Sequence, residues 1–233
     1  MLFLFVKKKL NALMATVIIG VMAFIDVMVI DTKYLNADHY QESTDYENNF
    51  KPTAVDEQLL KDTGYYRVFD VSQGISTAFN GGALPSYFHK SIGGYHPAKL
   101  SIYQDLIEKQ LYNFPNCLPV INMLNTKYII TSSQQNGQQL MAQPNPGALG
   151  ACWFVKAIDY KKTPAGVMTA LTGFSPKDTA LIEESLKKNL TANPLTDSTA
   201  FIKLVKNDND IIEYRSSSKT NEFAVFSEVF YDA

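Results

Sequence analysis

The hydrophobic pattern splits the chain into one long apolar run and a mosaic of short ones. Leu10 to Ile30 is broken only by the polar residues Asn11, Thr16 and Asp26. An apolar run without a polar face predicts a helix covered on all sides rather than one lying on a core. At 1.5 Å per residue it reaches roughly 31 Å, the hydrocarbon thickness of a bilayer. Lys7-Lys8-Lys9 precedes it and Asp31 follows. The lysines place the N-terminal side in the cytoplasm and send everything after Asp31 outside. A cleaved signal peptide would have a shorter apolar stretch and a small-x-small cleavage site, which Val29-Ile30-Asp31 does not offer, so the run reads as an uncleaved span. Asp26 lies about one turn from the outer end and reads as a carboxylate that reaches water. Met1 to Val6 is apolar but too short to span, and reads as the tail of a preceding transmembrane helix.

Beyond Asp31 the periodicities are short and mixed. Residues 37–50 are polar and read as an irregular connector. Thr53-Ala-Val-Asp56 resembles a capping box and predicts a helix to about Asp62, ended by Gly64. Tyr65 to Val71 alternates and predicts a strand, followed by a Gly/Ser/Asn loop over Gln73–Gly82. Pro97 suits the first turn of a helix to about Tyr112, with Leu100, Tyr103, Leu106, Ile107 and Leu111 on one face. A short helix over Pro119–Asn125 precedes a strand at Lys127–Thr131, a turn at Ser132–Gly137 and a hairpin return over Gln138–Ala142. Cys152–Ile158 reads as a strand, Thr163–Leu171 as a helix, and Thr179–Ile182 as an apolar piece leading to a helix ending near Leu190. Phe201–Val205, Ile211–Tyr214 and Phe223–Phe230 read as strands. No regular βαβ rhythm is visible, so the expected class is α+β. The expected architecture is one N-terminal transmembrane helix, a mixed α/β extracytoplasmic domain, and a closing antiparallel β module. The expected boundaries are 1–32, 33–198 and 199–233.

Composition narrows the partners. The chain has 233 residues, of which 46% are apolar and 19% charged, which suits a folded domain. Setting aside Lys7, Lys8, Lys9 and Asp26, the remaining 18 Lys+Arg and 22 Asp+Glu leave −4, with no basic stripe for nucleic acid. Cys117 and Cys152 are the only cysteines. One disulfide in an oxidising compartment and two buried thiols are both open readings, and Cys-x34-Cys is no metal motif.

One stretch is dense in groups that bind. Ser86 to Ile107 packs His89, His96, Lys90, Lys99, Tyr87, Tyr95, Tyr103 and the pair Gly93-Gly94 into a loop that enters a helix. Lysines pair with phosphate as point charges, tyrosines stack on sugar faces, and histidines hydrogen-bond or titrate near neutral pH. The two glycines let the backbone approach a ligand, and the helix start favours an anion. The rival reading is that Gly93-Gly94 makes a tight turn and the rings simply pack. His-x6-His has no third ligand nearby, so no metal is expected. No Gly-x-Ser-x-Gly elbow and no phosphate-binding Gly-x-x-x-x-Gly-Lys loop is present, and Glu183-Glu184 reads as a solvated face.

Tyr87-Phe-His-Lys-Ser-Ile-Gly-Gly-Tyr-His96 resembles the extracytoplasmic region of the YfhO family, large bacterial membrane proteins related to GT-C type glycosyltransferases, in the version found in Bacteroidetes. Asn122-Met-Leu-Asn-Thr-Lys-Tyr128, Asn145-Pro-Gly-Ala-Leu-Gly150 with Trp153-Phe-Val155, and Phe226-Ser-Glu-Val-Phe-Tyr231 resemble further blocks of that family in the same order. Ala151-Cys152 departs from its usual Asn-Ala, so Cys152 belongs to no family disulfide framework. The resemblance implies an integral protein of the bacterial cytoplasmic membrane, its soluble part periplasmic. It implies transfer of a sugar from a polyprenyl-phosphate carrier to a cell-envelope glycan. The family's catalytic acid lies in an early outer loop outside this chain, so no complete active site and no cofactor are expected here, and any divalent metal would sit elsewhere. The chain then reads as truncated at both ends. Its expected partners are the lipid bilayer, the rest of the same membrane protein, and a glycan or lipid-linked sugar. The alternatives are a non-catalytic membrane-anchored interaction domain and, with less in its favour, an anchored hydrolase.

Overall fold

The computed structural model describes residue 7 and residues 11–133, 139–190, 192–208 and 210–230. The expected tail of a preceding span at Met1–Val6, Lys8 and Lys9 lie outside the described residues, as do most of the turn before Gln138 and Gln138 itself. The chain forms two compact units, Met1–Lys51 and Pro52–Ala233.

The first unit is dominated by helix α1, Ala12–Tyr34, which is long and apolar enough to cross a membrane. Asn11 caps it, its Oδ1 accepting the Met14 N–H at 2.8 Å. Leu13, Phe24, Ile25 and Val29 are all exposed within the unit, as a helix meant for an apolar solvent requires. The helix runs one turn past Ile30, because Asp31-Thr-Lys-Tyr34 continues the backbone ladder and the Leu35 N–H closes onto Asp31 O. The polar connector also holds order: Ser43–Asn48 forms a short helix, α2, where an irregular segment was expected.

The second unit is mixed α and β. Its helices and strands follow in the order α3 (Ala54–Leu59), β1 (Arg67–Asp70), α4 (Ile75–Asn80), α5 (Pro85–Phe88), α6 (Ser101–Lys109) and α7 (Leu118–Met123). Then come β2 (Thr126–Ser133), β3 (Gln139–Pro144), β4 (Cys152–Val155), β5 (Ala157–Lys161), α8 (Pro164–Ala170) and β6 (Thr179–Glu183). The hairpin β7 (Phe201–Asn207) and β8 (Ile212–Ser217) and the strand β9 (Phe223–Phe226) close the unit.

β1, β2 and β3 form one sheet, β1 parallel to β2 and β2 antiparallel to β3. Successive side chains of a strand face opposite ways. Phe69 therefore joins the larger core with Phe79, Ile107, Leu111, Val120 and Ile121 from α4, α6, α7 and the turn after α6, while Val68 joins Val55, Leu59 and Ile130 under α3. The sheet is thus covered on both faces. α7 gives way to β2 through Asn125, which adopts φ 55°, a conformation Asn tolerates better than most residues, and donates from Nδ2 to Tyr65 O at 2.9 Å.

The second unit departs further from the sequence expectations. Gln73–Gly82 contains α4, whose Ala78 and Phe79 are buried, so tertiary packing overrides a Gly/Ser/Asn-rich composition. The expected single strand over Cys152–Ile158 is two strands, β4 and β5, in different sheets. The apolar piece at Thr179 is β6, parallel to β5 across α8, and the helix expected after it is a 3-10 turn over Glu184–Asn189. The antiparallel module is realised as the hairpin β7–β8, but β9 leaves it to pair with β4, Cys152 opposite Phe226 and Val155 opposite Phe223. Cys117 and Cys152 are free thiols, the first buried. Burial pushes the Cys117 thiol up to about 11.

Candidate functional site

The dense stretch lines part of an open pocket of about 250 Å³. Ser91, Ile92 and Gly93 form one wall, and Lys99, Leu100 and Tyr103 at the start of α6 form another. Arg67 from β1, Leu124 after α7, and Ser227 and Val229 after β9 complete it. The Tyr103 hydroxyl donates to Ile92 O at 2.6 Å, which ties the two walls together. Burial pushes the Tyr103 phenol up to about 12, so it stays a neutral donor at physiological pH.

Arg67 is the charged centre. Its Nη1 donates to Leu124 O at 3.0 Å and Ser227 O at 2.8 Å, and its Nη2 to Glu228 Oε2 at 2.9 Å and the Tyr65 hydroxyl at 3.3 Å. The Tyr65 hydroxyl in turn donates to Glu228 Oε1 at 2.5 Å. Burial first, and then the bond to Glu228, push the Tyr65 phenol up to about 12. The fork of a guanidinium suits this multiple pairing, which a lysine could not reproduce. The cluster carries the segment after β9 to the pocket, where Ser227 N donates to Ala151 O at 2.9 Å.

The nine sequence candidates fall into three groups. Gly93, Lys99 and Tyr103 line the pocket. Lys99 Nζ donates to Gln104 Oε1 at 3.2 Å and faces no carboxylate in that contact. His89, Lys90 and Gly94 are engaged by other parts of the unit, Lys90 at its surface. His89 Nε2 lies 2.8 Å from Asp56 Oδ1, with both side chains largely covered. Lys90 Nζ sits 4.2 Å above the Tyr65 ring and donates to Asn207 Oδ1 at 3.2 Å. Gly94 has φ 99° and its N–H donates to Ala78 O at 2.6 Å. Tyr87, Tyr95 and His96 are exposed and stand apart from the pocket lining. His96 Nδ1 accepts the Ala98 N–H at 3.1 Å, a local turn that delays α6 to Ser101 instead of letting it start at Pro97. Among the described residues no three His, Cys, Asp or Glu side chains gather to hold a metal.

Sequence reasoning missed Arg67, Ser227 and Glu228. A signal for the first was present: Arg67 lies in an alternating strand on the same face as Phe69, where a charge needs partners. Ser227 and Glu228 lie in the resembling block Phe226–Tyr231, but nothing in it points to the pocket, because their role depends on β9 returning to β4.

Two of these contacts give measurable expectations. A Cβ on Gly93 would stand 2.4 Å from Ala78 O, a backbone atom that the Gly94 N–H already holds. Gly93→Ala is therefore expected to destabilise the unit by about 2 kcal/mol and to distort the pocket wall. Thermal unfolding followed by circular dichroism checks this, and an unchanged midpoint would contradict it. The second concerns Asp56. Burial pushes its carboxyl up, but hydrogen bonds from the Thr53 hydroxyl and N–H and from His89 outweigh it, and the net shift is below 3.8. Because the folded value is depressed, its stabilising contribution is complete above the unfolded value of about 4 and fades as pH falls toward the lower folded value. The acid limb of the stability curve should flatten in Asp56→Asn, as measured by urea unfolding across that pH range.

No family model, no curated protein and no solved structure matches the chain.

Proposed function

We propose that the chain is the extracytoplasmic portion of a YfhO-like integral membrane protein of the bacterial cytoplasmic membrane. It supports transfer of a sugar from a polyprenyl-phosphate carrier to a cell-envelope glycan, with the catalytic acid outside this chain. The observation that carries the reading is that the resembling stretch supplies two walls of the pocket, around Arg67. A cleft with one paired cation, one lysine and the hydroxyl of Ser91 suits a hydroxyl-rich or phosphorylated group. The candidate span α1 agrees with anchoring at a membrane.

The test uses the whole membrane protein. Lys99→Gln, checked for an unchanged unfolding midpoint, should lower sugar transfer roughly tenfold, the effect of losing one good polar contact to a ligand, and Tyr103→Phe should lower it by releasing the Ile92 wall of the pocket. Full transfer by both folded variants would refute the ligand role. A second reading, a non-catalytic membrane-anchored interaction domain, is favoured by the engagement of His89, Lys90 and Gly94 by other parts of the unit. In that case transfer survives both changes while association with a partner complex is lost on surface substitution.

A further inference from the structure

Asp26 is the one ionisable residue inside the apolar run Leu10–Ile30. Its side chain is exposed on α1, and among the described residues it makes no hydrogen bond and no ion pair. The helix itself offers it nothing. The residues three and four positions away, which are its neighbours on the helix surface, are Met22, Ala23, Val29 and Ile30, all apolar. The Thr32 hydroxyl is engaged by Val29 O at 3.2 Å. Lys33 lies seven residues on, about 10 Å along the axis.

Water is out of reach as well. Polar residues resume at Asp31, five residues on and about 7.5 Å along the axis. The carboxyl carbon of an aspartate stands two bonds from the backbone, roughly 3 Å. Side chains on a helix also lean toward its N-terminus. Asp26 is near the C-terminal end of the run, so this lean carries its carboxylate toward the middle of the bilayer, whichever side α1 enters from. The expectation that it reaches water rests on nearness to the end alone and leaves out this direction. Long lysine and arginine side chains near a helix end reach the interface, but a short side chain aimed inward has no such reach.

An unpaired carboxylate facing hydrocarbon is costly, and acids in spans turn to another helix or to a cation. Ile19, Met22 and Ala23 share the face of Asp26, and Ile19 and Met22 are 52% and 62% exposed. Ala15, about three turns toward the N-terminus, falls on the same face and is the one residue of α1 buried within its unit. The face is thus covered at that end and open around Asp26. Charge selects what closes it. A second, parallel copy of α1 would set Asp26 against Asp26, a like-charge pair. A lysine or arginine would instead relieve the cost of both charges at once.

We infer that α1 docks, through the face of Ile19, Met22, Ala23 and Asp26, against a partner transmembrane helix that presents a lysine or arginine at the depth of Asp26. The inference rests on α1 spanning a bilayer and is independent of the pocket and of sugar transfer.

The experiment reconstitutes the full chain in phosphatidylcholine vesicles with a synthetic leucine-rich transmembrane peptide that carries one arginine at the matching depth. Förster transfer from a donor on the peptide to an acceptor on the N-terminus of the chain measures association. The native chain should bind the arginine peptide about tenfold more tightly than the same peptide with leucine at that position. Asp26→Leu should remove this preference, and Asp26→Lys should hand it to a peptide carrying aspartate instead. Asp26 is exposed and unbonded among the described residues, so the Pro52–Ala233 unit should keep its unfolding midpoint in each variant, read by Trp153 fluorescence. Equal binding of the two peptides by the native chain overturns the inference, as does an arginine preference that survives Asp26→Leu. Transfer between two labelled native chains without peptide, lost in Asp26→Leu, would assign the face to a second copy and overturn the cationic partner.

Discussion

Phe69→Ala is expected to lower the unfolding free energy of the Pro52–Ala233 unit by about 3–5 kcal/mol. Phe69 is fully buried and stacks against two rings, Phe79 with centroids 5.5 Å apart and Phe114 edge-on at 5.6 Å. Truncation removes the burial of one large ring and leaves a void among side chains from three helices. The backbone of β1 is held by β2 on one side and bridged to Ser91 on the other, so the void cannot close by moving the strand. Urea unfolding followed by Trp153 fluorescence in detergent-solubilised full chain measures the loss. Phe69→Leu should cost less than half as much, because most of the volume is kept. A loss below about 1 kcal/mol for the alanine variant would mean that this core is not close-packed.

Arg67→Ala should destabilise the unit by on the order of 3 kcal/mol. The change strands Leu124 O, Ser227 O and Glu228, and removes the cation that balances a partly covered carboxylate. Glu228→Gln is the milder change, because Glu228 is 28% exposed, solvent screens its charge, and an amide still offers an acceptor oxygen to the guanidinium. A cost of about 1 kcal/mol is expected there. Arg67→Lys should fall between the two, since one ammonium cannot reach four acceptors. The same unfolding assay ranks the three. An Arg67→Ala variant as stable as Glu228→Gln would show that the backbone carbonyls, and not the ion pair alone, find water readily.

Local elements were legible where a pattern had one cause. The apolar run of α1, the Thr53–Asp56 capping box with both reciprocal bonds, and the β2–β3 hairpin each follow from period, cap or turn chemistry. The hairpin β7–β8 also follows, from two strand-like runs around Asn207-Asp208. Long-range pairing was not legible. Nothing in Phe223-Ala-Val-Phe226 says that its partner is Cys152–Val155 rather than the neighbouring β8, because an apolar alternating strand fits either. The site suffered the same way. Gly93, Lys99 and Tyr103 were marked by composition, yet His89 was marked equally and serves a buried pair with Asp56. A histidine's neighbours in space, not its neighbours in sequence, decide between those roles.

The Arg67 cluster also has a consequence in time. Ribosomes deliver a chain from its N-terminus at roughly 5–20 residues per second. Arg67 meets Ser227 and Glu228 across sequence separations of 160 and 161. The guanidinium therefore waits on the order of 10 s after its own synthesis before its final partners exist. During that interval it relies on water, and the pocket lacks one side. Completion of the pocket is thus coupled to the arrival of the segment after β9, and a chain halted before it would carry the loop of Gly93, Lys99 and Tyr103 without the completed cleft. Chaperone contact with β1 should accordingly persist late into synthesis and drop once residue 228 has emerged.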